Sequence, residues 1–291
     1  MMTERTKAGP AVPSDVDVPK VARLIDALSS LGSVVVAFSG GADSALLLAT
    51  SLQVLGRDTV LAVTADSPTL PRSELEDTVA LAKELGAEHL VVTTDELALE
   101  GFASNPPSRC YYCKQALFAK LQSIAEARGY EQVIYGATAA DLGDHRPGMR
   151  AAEEAGAVAP LLQAGFTKGD VRRLSRKLGL RTWDKPAMAC LSSRLPYGQR
   201  ITRSKLAEIE AAEQLLRGEL GFSQVRVRHH DTIARIEVPA AELGRMVEPS
   251  TARAVVLGLK ELGFAYVTID LQGFRSGSMN ETIPQEEGAR G

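Results

Sequence analysis

Apolar positions recur at helical spacing in Val21, Leu24, Ile25 and Leu28, which predicts a helix over Val21–Leu31. The unbroken run Val34–Phe38 that follows reads as a strand buried on both faces of a parallel sheet. The alternation continues with a helix over Ala45–Leu55, a strand at Val60–Thr64, a helix over Ser73–Leu85 and a strand at His89–Val92. A helix over Leu117–Arg128 and a strand at Val133–Gly136 extend it. Strands alternating with helices imply βαβ units, a parallel sheet with helices on both faces, and a ligand site at the carboxyl ends of the strands. Beyond Tyr197 the order changes: a long helix (Leu206–Leu220), adjacent strands (Gln224–His230 and Thr232–Val238), a helix (Thr251–Leu262) and a last strand (Ala265–Leu271). That order predicts a smaller α+β domain. The expected division is a leader over 1–19, an α/β domain over 20–197, an α+β domain over 198–280 and a tail over 281–291.

Composition narrows the function classes. Hydrophobic residues are 45% of the 291 and charged residues 24%, which argues against a disordered chain. No apolar run reaches the roughly 18 residues of a membrane span, and the leader, with Pro10, Pro13 and Pro19, lacks the apolar segment of a signal peptide. A cytoplasmic protein is expected. The 33 Lys and Arg against 36 Asp and Glu leave a net charge of -3 and no global electrostatic reason to bind nucleic acid. Three cysteines cannot all pair within one chain, which points to chemistry and away from a disulfide scaffold.

The first candidate site is the turn Ser39-Gly40-Gly41-Ala42-Asp43-Ser44 between the first strand and its helix. Its glycines let backbone approach a phosphate, the helix N-terminus offers unpaired N–H groups, and Ser39 and Ser44 add hydroxyls. It has neither the Walker A ending nor the dinucleotide-binding spacing. An ordinary turn capped by Asp43 or Ser44 is the plainer alternative. The hexapeptide resembles the SGGxDS signature of the PP-loop ATP pyrophosphatases, which implies an adenine nucleotide alpha hydrolase-like fold. It also implies ATP cleaved between its α and β phosphates, with Mg²⁺ at the β and γ phosphates.

The second candidate is Arg109-Cys110-Tyr111-Tyr112-Cys113-Lys114, a CxxC placed just before a helix, with the third cysteine in Lys185–Arg194 as Cys190. A helix N-terminus flanked by Arg and Lys favours thiolate. A zinc half-site or a redox pair is the alternative, with no histidine selected by spacing as a further ligand. On the strand Gln224–His230, Arg226, Arg228 and His230 alternate onto one side, an arrangement that suits bidentate capture of phosphate as well as it suits a solvated face.

Together these segments resemble the LarE family, ATP-dependent sulfur transferases of nickel-pincer cofactor synthesis for lactate racemase. The resemblance runs from about residue 20 to 280 and includes Asn105–Lys114, Tyr135–Thr138, Asp144–Gly148, the Cys190 segment, Val225–His230 and Gly273–Asn280. It implies adenylation of the carboxylates of pyridinium-3,5-biscarboxylic acid mononucleotide and their conversion to thiocarboxylates. It further implies a 4Fe-4S cluster on Cys110, Cys113 and Cys190 as the sulfide carrier, with sacrificial loss of sulfur from Cys190 as the alternative. Gly136, Thr64 and Arg72 join the loop as ATP-binding residues, Asp66 stands nearby, and Arg226 and Arg228 become the ligands of the substrate phosphate. Arg194 is expected to stabilise charge on the acyl-adenylate. A homo-oligomer, a hexamer in the family, and a sulfide donor are the expected partners. Asp141 and Asp144 are expected either at Mg²⁺ or in turns, Glu237 either orienting the arginines or binding a cation, Trp183 in packing, and Lys168, Arg172 and Arg173 on a solvated helix face. The rival enzymes are a tRNA thiolation enzyme, which needs a basic surface, and an ammonia-using synthetase, which needs no cysteines. A nucleotide-binding regulator without catalysis is the rival outside the enzymes.

Overall fold

The computed structural model describes residues 17–141, 147–186, 189–275 and 278. Described residues within Met1–Asp66, Arg72–Thr94 and Cys113–Met188 form one compact unit, and those within Ser67–Pro71, Asp95–Tyr112 and Ala189–Gly291 form another.

The first unit is built on four parallel strands, β1 (Val34–Ala37), β2 (Val60–Asp66), β3 (Glu88–Thr93) and β4 (Gln132–Tyr135), in the order β3-β2-β1-β4. Val35 pairs with Leu61 on one side and Val133 on the other, so β1 is central. Its alternate side chains serve two cores. Val34 and Val36 pack with the helices Val18–Ser29, Ala42–Leu55 and Lys168–Lys177, while Val35 packs with Phe118, Leu121 and Ala125 of the helix Arg109–Arg128. Helices thus cover both faces, as the unbroken apolar run of β1 requires. The chain winds from β1 outward to β3 and then returns to β4 beside β1, a reversal that opens a crevice at the carboxyl ends of β1 and β4.

Local signals set the helix starts. Asp17 caps Val18–Ser29 by accepting from the Lys20 amide, and a reciprocal capping box of Thr167 and Asp170 starts Lys168–Lys177. The helix expected from Leu117 begins at Arg109, so Cys110 and Cys113 lie inside it and not ahead of it. Apolar periodicity misses this start because a polar turn at Asn105–Arg109 sets it.

The second unit carries the mixed sheet β5 (Arg226–His230), β6 (Ile233–Glu237) and β7 (Tyr266–Ile269) in that order. β5 and β6 form an antiparallel hairpin through Asp231, which has φ 52°, and β7 runs parallel to β6. Val225, Val227, Ala234 and Ile236 pack with Ala212 and Leu216 and with Val255 and Leu259 of the helix Pro249–Glu261. The helix predicted over Leu206–Leu220 spans Arg203–Gln214, followed by a π-helical turn at Leu215–Glu219. Among the described residues no helix is long and apolar enough to cross a membrane. The α/β fold with a smaller α+β part agrees with the sequence expectation.

Candidate active site

In the first unit the loop after β1 is shaped by glycine. Gly40 has φ +68°, and a Cβ there would lie 2.2 Å from Thr78 Oγ1. At Gly136, just past β4, a Cβ would lie 2.9 Å from the Ser44 amide nitrogen, so the β4 end and the loop touch backbone to backbone. Gly41 is the N-cap of the helix Ala42–Leu55 and offers no side-chain cap, which leaves the first amides facing outward. Ser44 Oγ donates to Gly41 O at 3.1 Å and lies 3.1 Å from Ser39 Oγ, tying the loop to itself. Such a cradle suits a polyphosphate.

Lys168, expected on a solvated helix face, is part-exposed there and also makes ion pairs. Its Nζ donates to Asp43 Oδ2 at 2.6 Å and reaches Asp141 Oδ2 at 3.4 Å, so the lysine joins the loop to the turn that follows β4. Asp141 also accepts from the Thr138 amide and hydroxyl, which fixes its direction. Of Arg172 and Arg173 on the same helix, both exposed, Arg173 pairs with Asp170. Lys185, which sequence reasoning passed over, donates to Asp77 at 2.7 Å, pairs with Glu74 at 2.9 Å and lies 3.4 Å from Gly40 O. Burial opposes charge on Asp77 and Lys185, but their mutual bond, with Glu74 and Arg181, prevails: Asp77 sits below its ordinary pKa and Lys185 above.

Thr64 is buried and acts within the fold. Its hydroxyl donates to Phe38 O at 2.7 Å and lies 2.8 Å from His89 Nε2. A hydroxyl has one proton, so His89 Nε2 donates to it. Burial lowers the His89 pKa, which favours this neutral tautomer. Arg72 pairs with Asp66 at 2.5 Å on a partly exposed surface. Trp183 is partly exposed, with the Arg176 guanidinium 5.0 Å above its ring. Asp144 and His145 lie outside the described residues.

In the second unit Cys190 is exposed and precedes a short turn, Leu191–Arg194, with its Sγ 2.9 Å from Ser192 Oγ. Arg194 does not face outward toward an acyl-adenylate. It is 0% exposed and grips Glu213, also 0%, through Nε at 2.8 Å and Nη2 at 3.0 Å. Its Nη1 donates to the carbonyls of Ala189 and Cys190 at 2.6 and 2.9 Å, so it shapes the cysteine segment from beneath. Burial would raise the Glu213 pKa, yet Arg194 holds it below its ordinary value.

Arg226 and Arg228 are each 5% exposed, against the solvated-face alternative. Glu237 orients the second: Arg228 Nη2 donates to Glu237 Oε2 at 2.6 Å and to Ser278 Oγ at 2.9 Å, and Ser278 donates on to Glu237 Oε1 at 3.0 Å. Arg228 Nε, buried, has no partner among the described residues. Arg226 lies over the Phe274 ring, and burial together with Arg194, Arg228 and Arg217 lowers its pKa to about 10. Arg226 keeps its charge at neutral pH, and Arg228, although paired with Glu237, has its Nε left over, a setting that suits a bound anion. His230 turns to Arg235, whose Nε lies 3.3 Å from its Nε2. In His230, burial and then the Arg235 charge depress the pKa.

Cys110 is exposed, Cys113 half-buried, and no disulfide joins either of them or Cys190. Three thiols fit a soft metal or an iron–sulfur group in donor chemistry. Among the described residues, no three His, Cys, Asp or Glu side chains stand together as a preformed metal site.

Comparison with known proteins agrees with this geometry. Residues 22–107 match the family model of NAD synthase. Over 268 residues, 92% of this chain and 96% of the relative, it is 45% identical to pyridinium-3,5-bisthiocarboxylic acid mononucleotide synthase of Lactiplantibacillus plantarum. It is 43% identical to the uncharacterized protein slr1717 of Synechocystis over 264 residues, 91% of this chain and 98% of that one. A third relative, the uncharacterized protein MJ0830 of Methanocaldococcus jannaschii, is 28% identical over 243 residues, 84% of this chain and 91% of the relative. A glycine-built phosphate loop in an NAD-synthase-type sheet, with that identity across nearly the whole length, means that the chain belongs to the LarE family of PP-loop proteins.

Proposed function

We propose that this chain is an ATP-dependent sulfur transferase that turns the carboxylates of pyridinium-3,5-biscarboxylic acid mononucleotide into thiocarboxylates for nickel-pincer cofactor synthesis. The observation that carries the reading is the Gly40–Gly136 cradle in a chain 45% identical to the synthase of that bisthiocarboxylic product. ATP would sit with its β and γ phosphates on Ser39, Gly40, Gly41 and Ser44, and with its nucleoside toward Asp66 and Arg72 at the end of β2, where Thr64 braces the strand from inside. The carboxylates of Asp43 and Asp141 are hard oxygen ligands suited to Mg²⁺, and Lys168 is their neutralising partner before ATP arrives. A substrate carboxylate oxygen attacks the α phosphorus and the bond to the β-phosphate oxygen breaks, giving an acyl-adenylate and pyrophosphate. Sulfide then attacks the carbonyl carbon and AMP departs with the carboxylate oxygen, leaving the thiocarboxylate. Adenylation is needed because a free carboxylate has no adequate leaving group.

Arg226 and Arg228 would hold the mononucleotide phosphate, with Glu237 and Ser278 setting the second guanidinium. Cys110, Cys113 and Cys190 would hold a 4Fe-4S cluster, which supplies a sulfide carried on the iron that lacks a thiolate. Arg194 acts as a positioning residue beneath Cys190. A cytoplasmic homo-oligomer resupplied by a sulfide donor completes the reading.

The test uses protein purified without oxygen, incubated with Mg-ATP, sulfide and the biscarboxylic mononucleotide. Substrate-dependent pyrophosphate and a product mass in which sulfur replaces oxygen are expected, together with about four irons per chain that are lost in Cys110→Ala. No pyrophosphate in the presence of substrate overturns the reading. Turnover without iron, with mass lost from Cys190, replaces the cluster by a sacrificial cysteine.

A further inference from the structure

Within the second unit, one buried residue bonds to both the approach to Cys110 and the loop that follows the Cys190 segment. Asn105 is 0% exposed and has φ 59°, a left-handed backbone that Asn tolerates better than most residues and that Pro106 after it narrows further. Its side-chain amide donates to Pro196 O at 2.7 Å and Gln199 O at 3.0 Å, with Leu195 O at 3.4 Å. Its backbone carbonyl accepts from the Gly198 amide at 2.9 Å. One residue therefore grips the loop 195–199 from both its side chain and its main chain.

Toward the other side, Asn105 Oδ1 accepts from Arg109 Nη1 at 2.6 Å, and Arg109 lies over the Tyr197 ring at 4.7 Å. Arg109 immediately precedes Cys110. The gripped loop in turn follows the Leu191–Arg194 turn, whose Arg194 holds the Cys190 carbonyl. Strained backbone persists where surrounding bonds over-determine it, and here those bonds converge on the approaches to two thiols.

We propose that Asn105 is a positioning residue that fixes the placement of Cys110 relative to Cys190, by clamping the turn ahead of one to the loop beyond the other. This inference rests on the reading of both cysteines as partners in sulfur delivery. In a Cys113→Ser parent only these two thiols remain, and both belong to the same unit.

The parent is titrated anaerobically with Co²⁺, and the thiolate-to-cobalt charge-transfer absorbance is read. The parent is expected to show a two-thiolate signal that falls in Cys110→Ser or Cys190→Ser. Adding Asn105→Gly keeps the positive φ accessible and the backbone bond to Gly198, and removes the side-chain part of the clamp. It should weaken cobalt binding roughly tenfold or more, with ATP affinity unchanged as the control for folding. Should Asn105→Gly lose its far-ultraviolet spectrum, Arg109→Gln, which frees only the Cys110 side, is expected to show the same loss in smaller degree. A parent signal retained in full by the variants overturns the role of Asn105 alone. A parent with no charge transfer overturns the paired-thiol reading and the inference with it.

Discussion

Replacing Arg194 with Met removes one guanidinium from beneath the Cys190 segment and leaves its partner in the dark. Glu213 stays at 0% exposure, with the Val227 amide at 3.1 Å, Arg217 Nη2 at 3.3 Å and the nearby charge of Arg226 left to answer its own. Stripping one partner from a buried ion pair costs about 3–5 kcal/mol, and the two surviving contacts put this case near the lower end. The loss should depend on pH in a particular sense. In the wild type Glu213 has a depressed pKa, so its contribution is present above the ordinary carboxylate value and is lost as pH falls through the folded value. Burial is already the largest single influence on Glu213, and without Arg194 to outweigh it the pKa should move up, so the folded form takes the proton more readily. Destabilisation should therefore be larger at pH 7.5 than at pH 5. Urea unfolding at both values measures it, and the Arg194→Met/Glu213→Gln double variant should recover about 1–2 kcal/mol of the loss at pH 7.5. Sulfur transfer should fall while ATP binding holds. A single variant within about 1 kcal/mol of wild type, or a loss that ignores pH, would refute the buried-pair account.

Three further outcomes are expected. Gly136→Ala sets a methyl 2.9 Å from the Ser44 amide nitrogen, where backbone cannot yield; a loss of about 1–3 kcal/mol and weakened ATP binding by calorimetry should follow, and normal values for both would sink the close-approach argument. Lys168→Met leaves Asp43 and Asp141 without their shared ammonium and should raise the ATP dissociation constant roughly tenfold, whereas an unchanged constant would return Lys168 to the surface role read from sequence. Thr64→Val strands Phe38 O and the His89 Nε2 proton and should cost about 1–3 kcal/mol in urea unfolding, a reading contradicted by wild-type stability.

What the chain revealed in advance followed from short-range pattern. The apolar run at Val34–Phe38 suits a sheet covered on both faces, and the glycines after it fit a tight turn that lets backbone and Thr78 come close. The misread residues depend on partners far along the chain. Lys168 looks solvated on its own helix because Asp43 lies 125 positions away. Arg194 looks available for substrate because its partner Glu213 sits on the next helix, 19 positions on. The start of the CxxC helix was hidden for a related reason: Arg109 bonds Asn105, and Asn105 bonds the loop 195–199, polar contacts that leave no apolar period to count.

The Ser278 hydroxyl is a relay, accepting from Arg228 and passing its own proton toward Glu237, 50 and 41 positions earlier in the chain. A preparation clipped by a protease just ahead of it would keep its phosphate-loop residues and all three cysteines, and would pass most quality checks. It would still carry an Arg228 released on one side, and, on the proposed role of Arg228, substrate affinity would fall silently. Intact mass belongs before any kinetic measurement on this protein.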